Sequence, residues 1–464
     1  MQEGSWQMTL SRRNFIGSLS LMLASPALLR AEDPITRIGI LSDPHVTVDP
    51  ETVIPLRNAF HRFAIEGVRT VVIAGDVCHV GTLDELKRVM QVWDEEFPGG
   101  CNKVGHKVDP IFVWGNHDYH TVVNCGKDLE DPKKKLIFYN KDIAWRLVTG
   151  ENVFPGEIYL KESNGVVFIG AHWGHQNELG EFLNRHKAEI PADKLVVYVQ
   201  HPHPKGTCFR GWATYDDGAN HNALMAHPNF FCISGHSHVS VSMDDAFWLG
   251  GFASMGAGSM RITSSRRYEY NAKVPKGKNE VRHMGQAPSG GAQQASILSV
   301  YSDRLVVTRH EYRYDEPLGE DWLVDFPFRH DKQNPCVIAD AACPPEFPKG
   351  TVIDVKKTTG VVRPSGASER QVQFAFNAAV SNGPHSRVVD YRVVITKVGT
   401  GDVVIERLVM QGMLGLSEKR TIRCAGFCAF GEAELPQGER LCVTITPINA
   451  GARSGRPISK EFVL

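Results

Sequence analysis

The sequence predicts a layered α/β domain followed by a small all-β sandwich. From residue 35 to about residue 310, short apolar runs alternate with segments of helical spacing, which is typical of layered α/β architecture. Beyond residue 350 the helical spacing disappears, and short β-type runs separated by turns replace it. Several apolar runs of the first part end directly in aspartate, asparagine or histidine. We therefore expect the chemistry of the protein at the strand ends of the first part.

Composition narrows the class of protein. The 464 residues suffice for two or three domains, and 42% hydrophobic with 22% charged residues is ordinary for a soluble globular protein. The 51 basic and 52 acidic residues give no support for a nucleic-acid partner. Ten cysteines permit disulfides, with Cys336/Cys343 and Cys424/Cys428 as candidate pairs, but buried free thiols explain them equally well.

Residues 1–31 are predicted to be a targeting segment. Ser11-Arg12-Arg13-Asn14-Phe15-Ile16 and the apolar stretch that ends at Leu29 resemble a twin-arginine signal, which addresses folded proteins for export in bacteria. The alternative is an uncleaved anchor, but the stretch is short against the roughly 20 apolar residues that a spanning helix needs. We expect cleavage after Ala27 or Ala31, a periplasmic or extracellular protein, and no stable membrane insertion afterwards.

The predicted α/β domain covers residues 35–314. Its predicted strands are Thr36–Leu41, Val71–Ala74, Ile111–Trp114, Val166–Gly170, Leu195–Val199, Phe230–Ile233, Phe247–Phe252, Ser296–Tyr301 and Leu305–Arg309. Helical spacing marks Pro55–Ile65 and Leu83–Phe97. The polar stretch Arg266–Gly291 is predicted to be a loop, either a solvated surface loop or a basic lid that steers anions.

Residues 315–350 are rich in proline, lack periodicity and are predicted to be a connector. Residues 351–464 are predicted to be a β-sandwich with strands at Val352–Val355, Val372–Phe376, Arg387–Lys397, Val403–Val409, Lys419–Cys424 and Leu441–Pro447. The stretch Thr444–Gly451 resembles the late strand and loop of a fibronectin type III-like domain.

Five short motifs follow apolar runs of the first part. They are Asp43-Pro44-His45, Gly75-Asp76, Gly115-Asn116-His117-Asp118, His201 and Gly235-His236-Ser237-His238. Each alone is weak, because polar residues collect at strand ends in any protein. Together they are specific, since strand ends of one sheet converge in space and can form one site.

In this order and spacing the motifs resemble the calcineurin-like metallophosphoesterases, the superfamily that includes the purple acid phosphatases. The resemblance spans about Arg37–His310 and implies a four-layer α/β/β/α sandwich with two metal ions at the strand ends. It implies that the first ion binds Asp43, His45, Asp76 and His238, and the second Asp76, Asn116, His201 and His236, with Asp76 bridging. The resemblance leaves His117 off the metals, as the acid that protonates the leaving oxygen. Asp118 either orients His117 or serves as a cap or turn partner.

The resemblance implies a phosphoesterase that attacks phosphate mono- or diesters with a hydroxide held between two metals. The histidine-rich ligand set suits Fe, Mn or Zn, and the expected substrate is a small phosphate ester or a nucleotide. His79 stands where purple acid phosphatases carry a metal-bound tyrosine, which argues against that subtype. The alternative is an envelope binding or scaffold protein whose working part is the C-terminal sandwich.

Other residues near the motifs receive weaker expectations. Within Lys205–Asp217, the side chains of Arg210, Trp212 and Tyr215 are candidates for substrate contact. His79, either a supporting residue or an ordinary loop residue, and His120, His172, His175 and His203 are not needed as ligands, because the ligand set is complete without them.

Overall fold

Two mixed β-sheets face each other in the first part of the chain. The computed structural model describes residues 33–119, 129–208, 216–261, 263, 282–283, 291–328, 344–361, 368–380, 383, 387–411, 416, 426–449 and 453–464. Contacts among them group Pro34–Leu464 into one unit. The predicted signal peptide therefore lies outside the described residues. No helix in the described ranges is both long and apolar enough to cross a membrane.

The first sheet has the strand order β13-β12-β11-β1-β2-β3, with β14 also paired to β12. Its strands are β1 (Thr36–Leu41), β2 (Thr70–Ala74), β3 (Asp109–Val113), β11 (Gln294–Val300), β12 (Arg304–Glu311), β13 (Glu316–Pro317) and β14 (Trp322–Asp325). Strands β1, β2 and β3 are parallel neighbours, so their carboxyl ends meet at one edge.

The second sheet has the order β4-β5-β6-β7-β9-β8. Its strands are β4 (Ile158–Ser163), β5 (Val166–Ala171), β6 (Val196–Gln200), β7 (Phe230–Ser234), β8 (Phe247–Leu249) and β9 (Ala253–Gly256). Strands β5, β6, β7 and β9 are parallel, which again brings their carboxyl ends together.

Helices cover the outer faces of both sheets. They are α1 (Ile54–Ile65), α2 (Leu83–Glu96), α4 (Lys141–Thr149), α5 (Leu179–Arg185) and α6 (Ala219–Met225), and the short α3 (Pro132–Lys135) precedes α4 in the chain. Thr82 and Glu85 form a capping box that starts α2, whose Leu86, Val89 and Trp93 are buried.

Three apolar cores separate the layers. One core lies between the sheets and joins Ile38, Val72 and Ile111 of the first to Phe168 and Val197 of the second. A second core joins the first sheet to α1, α2 and α4, and a third joins the second sheet to α5 and α6. The predicted α/β/β/α layering is therefore confirmed.

The C-terminal part contains two further sheets. One has the order β15-β16-β19 and the other β10-β18-β17-β20-β21. Their strands are β10 (Arg282–His283), β15 (Asp354–Val361), β16 (Ser368–Phe376), β17 (Val388–Lys397), β18 (Val403–Met410), β19 (Gly426–Gly431), β20 (Arg440–Asn449) and β21 (Ile458–Val463). Residues of both sheets share one core, including Phe374, Phe430, Val393 and Val443. The predicted all-β sandwich is confirmed, while its likeness to fibronectin type III stays a prediction.

Several local expectations were wrong. Strands β13 and β14 lie inside residues 315–350, which were predicted to hold no regular element, and both pair with β12. Most of the predicted loop Arg266–Gly291 lies outside the described residues, but its described pair Arg282–His283 forms β10, which pairs in parallel with Arg407–Leu408 of β18. The domain limits themselves stay predictions.

Other expectations fall partly outside the described residues. The predicted strand Lys419–Cys424 lies there, whereas β19 and β21 were not predicted. Cys428 is a buried free thiol, contrary to its candidate disulfide with Cys424. Cys424, Cys336 and Cys343 lie outside the described residues.

Candidate metal centre

All seven predicted ligands are described, and each stands just past the carboxyl end of a strand. Asp43 and His45 follow β1, Asp76 follows β2, Asn116 follows β3, His201 follows β6, and His236 and His238 follow β7. The two sheets thus bring together ligands that are up to 195 residues apart in the chain. Metal binding by these residues stays a prediction.

A first group of side chains converges around Asp43. The Nε2 atom of His238 lies 3.0 Å from Asp43 Oδ1 and 3.1 Å from His45 Nε2. His45 Nε2 also lies 3.7 Å from Asp76 Oδ2. The ligand atoms of these four residues are within 4.8 Å of one another, which is a spacing that can hold one metal ion.

A second group shares Asp76 with the first. His201 Nε2 lies 3.2 Å from Asp76 Oδ2 and 3.2 Å from Asn116 Oδ1, and His236 Nδ1 lies 3.0 Å from Asn116 Oδ1. Asp76, His201 and His236 also have ligand atoms within 4.8 Å of one another. Asp76 is thus the one carboxylate that belongs to both groups.

These separations fit metal ions. An ion with bonds of about 2.0–2.2 Å to nitrogen and oxygen holds neighbouring ligand atoms roughly 3 to 3.5 Å apart. In the first group, nitrogen and oxygen atoms with lone pairs point at one another across 3.0–3.7 Å. Such convergence of acceptors is unfavourable unless protons or a cation lie between them. The residues therefore fit the two ions that the motifs predict.

Five of the predicted ligands hold left-handed backbone conformations. The φ angles are 53° at Asp43, 43° at His45, 49° at Asp76, 65° at His236 and 56° at His238. Residues other than glycine rarely adopt this region, and each such residue costs about 1–3 kcal/mol. The surrounding backbone holds them in place, since His45 N–H donates to Asp76 O and Asp43 N–H donates to Gly75 O.

Two motif glycines allow the strand ends to approach. A Cβ atom on Gly115 would lie 2.2 Å from Asp76 Oδ1, and one on Gly235 would lie 1.8 Å from Ser42 Oγ. No side chain fits at either position without moving a ligand or the residue that holds it. Ser42 Oγ lies 2.6 Å from Asp43 Oδ2 and donates to it, and His236 N–H donates to the same oxygen.

The electrostatics of the centre keep Asp43, His45 and His236 in metal-binding forms, whereas His201 holds a proton. Burial raises the pKa of Asp43, but His238 and His201 outweigh it and hold the pKa at about 2. Burial lowers the pKa of His45 to about 3 and that of His236 to about 4, so both rings are neutral. Burial also lowers the pKa of His201, but the charge of Asp76 raises it to about 9. A cation on Asp76 would compete with the His201 proton.

His117 stands over the centre without joining either group around Asp76. Its ring is perpendicular to that of His45 at a centroid distance of 4.6 Å, and its Nδ1 lies 2.7 Å from His79 O. The His79 ring stacks on it at 5.3 Å, and ring nitrogens of His45, His79 and His117 lie within 4.8 Å of one another. His79 therefore lies in the centre, which agrees with the first of the two roles that the sequence left open for it, that of a supporting residue.

Asp118 does not orient His117. Its carboxylate accepts hydrogen bonds from the backbone N–H groups of Val77, Cys78 and Gly115, at 3.1, 2.7 and 2.8 Å. Of the two roles that the sequence left open, orienting His117 does not occur, since the His79 carbonyl accepts the imidazole proton. Asp118 is the turn partner that the sequence left as its alternative role.

The remaining histidines have other partners. His203 is buried, with Nδ1 2.5 Å from Ser234 Oγ and Nε2 2.8 Å from Ser237 Oγ, so it supports the turn that carries His236 and His238. His172 accepts a hydrogen bond from Trp114 N–H, and His175 lies 2.9 Å from Glu178. His120, Arg210, Trp212 and Tyr215 lie outside the described residues.

The sequence motifs missed two side chains beside the centre. The half-buried Arg261 donates a hydrogen bond to His45 O and forms no ion pair within the described ranges. Trp173 packs against the rings of His201 and His236. Both lie shortly after a strand, β9 for Arg261 and β5 for Trp173. The strand-end rule that found the ligands extends to Trp173, but it does not reach Arg261, because β9 was not among the predicted strands.

Comparison with known proteins identifies the first part of the chain. Residues 36–240 match the family described as calcineurin-like phosphoesterase, so this part is a calcineurin-like phosphoesterase domain. The matched range contains all five motifs. No curated protein matches the chain.

Several solved structures are similar to this chain. A dimetal phosphatase from Danio rerio is 14% identical with a TM-score of 0.38, covering 63% of this chain and 100% of that one. GAP50, the anchor in the inner membrane complex of Plasmodium, is 13% identical with a TM-score of 0.37, covering 64% and 90%. Zinc-complexed Vps29 from Entamoeba histolytica is 12% identical with a TM-score of 0.27, covering 63% and 99%.

Proposed function

We propose that this protein is an exported hydrolase of phosphate mono- or diesters that works with two metal ions. The observation that carries the proposal is the meeting of two ligand groups at Asp76, in a phosphoesterase domain. The twin-arginine motif at Arg12-Arg13 supports export to the periplasm or beyond, since that pathway carries folded proteins.

Seven side chains hold the ions in this proposal. Asp43, His45 and His238 would hold one ion, Asn116, His201 and His236 would hold the other, and Asp76 would be shared by both. The donor set contains four imidazoles, which favours Fe, Mn or Zn. When bound, two such ions acidify a water molecule and neutralise charge on the phosphate. With only two anionic ligands, the loaded centre is positive and suited to a phosphate ester.

His117 is the general acid of the proposed reaction. Its Nδ1 donates to the carbonyl of His79, so proton transfer falls to Nε2. The ring is partly exposed, unlike the buried ring of His45 beneath it. In this position the imidazole gives a proton to the leaving oxygen as the ester bond breaks.

Arg261 binds the anionic part of the substrate. Its hydrogen bond to His45 O holds the guanidinium beside the first ligand group, and its charge contributes to lowering the pKa of His79, after burial and His117. Arg261 has no carboxylate partner among the residues that the structure describes, and such an arginine is a ready donor to phosphate oxygens. The side chain is half-buried, so its charge is less screened than that of a surface arginine.

The substitution Asp76→Asn tests the proposal. Losing the shared carboxylate should remove at least one ion per chain and lower turnover of phosphate esters about 10³-fold or more. Metal analysis is combined with a panel of phosphomonoesters, phosphodiesters and nucleotides. Asp94→Asn, an exposed change on α2, is the matched control and should leave both unchanged. Unaltered turnover in Asp76→Asn would contradict the proposal.

A further inference from the structure

Trp173 places an aromatic surface at the edge of the metal centre. It stands two residues beyond β5, and its backbone N–H donates to Trp114 O at 2.9 Å. Its ring centroid lies 5.3 Å from that of His236, with the planes tilted by 42°, and 5.9 Å from that of His201. The indole therefore adjoins two ligands of the second ion.

The indole lies on the open side of the centre. Asp43, His45, Asp76 and His201 are at most 1% exposed, so they form its floor. Partly exposed residues include Asn116, His117, His236, His238 and Trp173. Because Trp173 contacts both the buried His201 and the partly exposed His236, its ring extends from the buried residues of the centre to the partly exposed ones. A group attached to a phosphate on the metals would pass beside it.

The indole is also held in place. It packs against the apolar core between the first sheet and its helices, which anchors part of the ring while part stays exposed. The backbone hydrogen bond to Trp114 fixes the segment that carries it. An anchored aromatic surface loses little conformational entropy when a second ring stacks on it.

We propose that Trp173 is a stacking surface for a planar aromatic group of the substrate. The centre then prefers phosphate esters that carry an aryl or nucleoside group over aliphatic esters. This inference rests on the proposed phosphoesterase function and names its substrate class. Indole is the largest aromatic side chain, and stacking on it tolerates any flat ring, so the preference concerns planarity and not one particular base.

Three substrates separate this role from others. Adenosine 5′-monophosphate, phenyl phosphate and glycerol 1-phosphate are assayed with metal-loaded wild type, Trp173→Leu and Trp173→Phe. The leucine variant should raise KM for the first two about tenfold, with kcat and all constants for glycerol 1-phosphate within about twofold. The phenylalanine variant should keep most of the preference. A response to phenyl phosphate alone identifies aryl esters, and a response to the nucleotide alone identifies nucleotides.

Two controls accompany the kinetics. Trp248→Leu makes the same change at a partly exposed tryptophan on β8 that packs on Phe252, and it should not alter the substrate preference. Metal content is measured for every variant. An equal loss for all three substrates, or a loss of metal, would show that Trp173 merely supports His201 and His236. No change for any substrate would also overturn the inference.

A binding measurement keeps the inference testable without turnover. If no ester is hydrolysed by the metal-loaded wild type, the proposed function fails by itself. Adenosine 5′-monophosphate should still quench the tryptophan fluorescence of the protein through Trp173. The quench should disappear in Trp173→Phe and persist in Trp248→Phe. A quench that survives in Trp173→Phe would overturn the stacking role.

Discussion

Asp118 holds two turns of the centre together from a fully buried position. Three backbone N–H groups point at its buried carboxylate, and they tie the turn after β2 to the turn after β3. Burial and the charge of Asp76 raise its pKa to about 8, against the effect of those donors. Cations bound at Asp76 would offset that charge and favour the carboxylate form. The protonation state of Asp118, which joins the two turns, thus depends on the charge of the centre.

At the same scale, Arg261 gives a direct test of anion binding. Arg261→Met keeps the length of the side chain and removes its charge. We expect KM for phosphate esters and the inhibition constant of inorganic phosphate to rise about tenfold, with metal content unchanged, because a charge-assisted contact to phosphate is lost. Arg57→Met on α1 removes an exposed arginine that pairs with Glu95 and should change neither constant. Equal inhibition of the two variants by phosphate would contradict the role of Arg261.

The sequence predicted the ligand types but not their conformations. The residue types at the strand ends can be read directly from the sequence, so the motifs predicted that Asp43 and His236 would lie in the site. Their positive φ angles cannot be predicted from the sequence, because contacts between turns that are distant in the chain impose them. The contact of Trp173 with His236 joins residues from different strands, and no local pattern encodes it.

At the scale of elements, the strands explain why the ligands meet. Parallel pairing of β1 with β2 and of β6 with β7 places successive motifs side by side. Runs of apolar residues predicted these strands because buried parallel strands are apolar on both faces. Strand β4 was missed although Asn164-Gly165, the turn of its hairpin with β5, is a strong hairpin signal with both φ angles positive.

The turn after β3 tolerates no side chain at Gly115. In Gly115→Ala the new Cβ would press on Asp76 Oδ1 and Asp76 N, so we expect loss of metal and a free energy of unfolding lowered by about 1–3 kcal/mol. Calorimetry with and without added metal measures both. Gly180→Ala is the control, because α5 leaves its Cβ 3.7 Å from Ala223 Cβ and alanine favours helices. A Gly115→Ala variant with full metal content would show that metal binding does not require the close approach of Gly115 to Asp76.

At the scale of the whole molecule, the sandwich is joined to the phosphoesterase domain. Val389 of β17 belongs to the same core as Trp322 and Phe328, which lie beyond the predicted end of the α/β domain. Strand β10 adds a second connection by pairing with β18. Sequence could predict both folds but not this joint, because its partners are more than 60 residues apart and carry no shared motif.

The central claim is that two metal ions share Asp76, and anomalous X-ray diffraction from crystals of the metal-loaded protein tests it directly. We predict two peaks about 3.5–4 Å apart, one beside Asp43, His45 and His238 and the other beside Asn116, His201 and His236, with the Asp76 carboxylate between them. A single peak, or two peaks of which only one contacts Asp76, would contradict it.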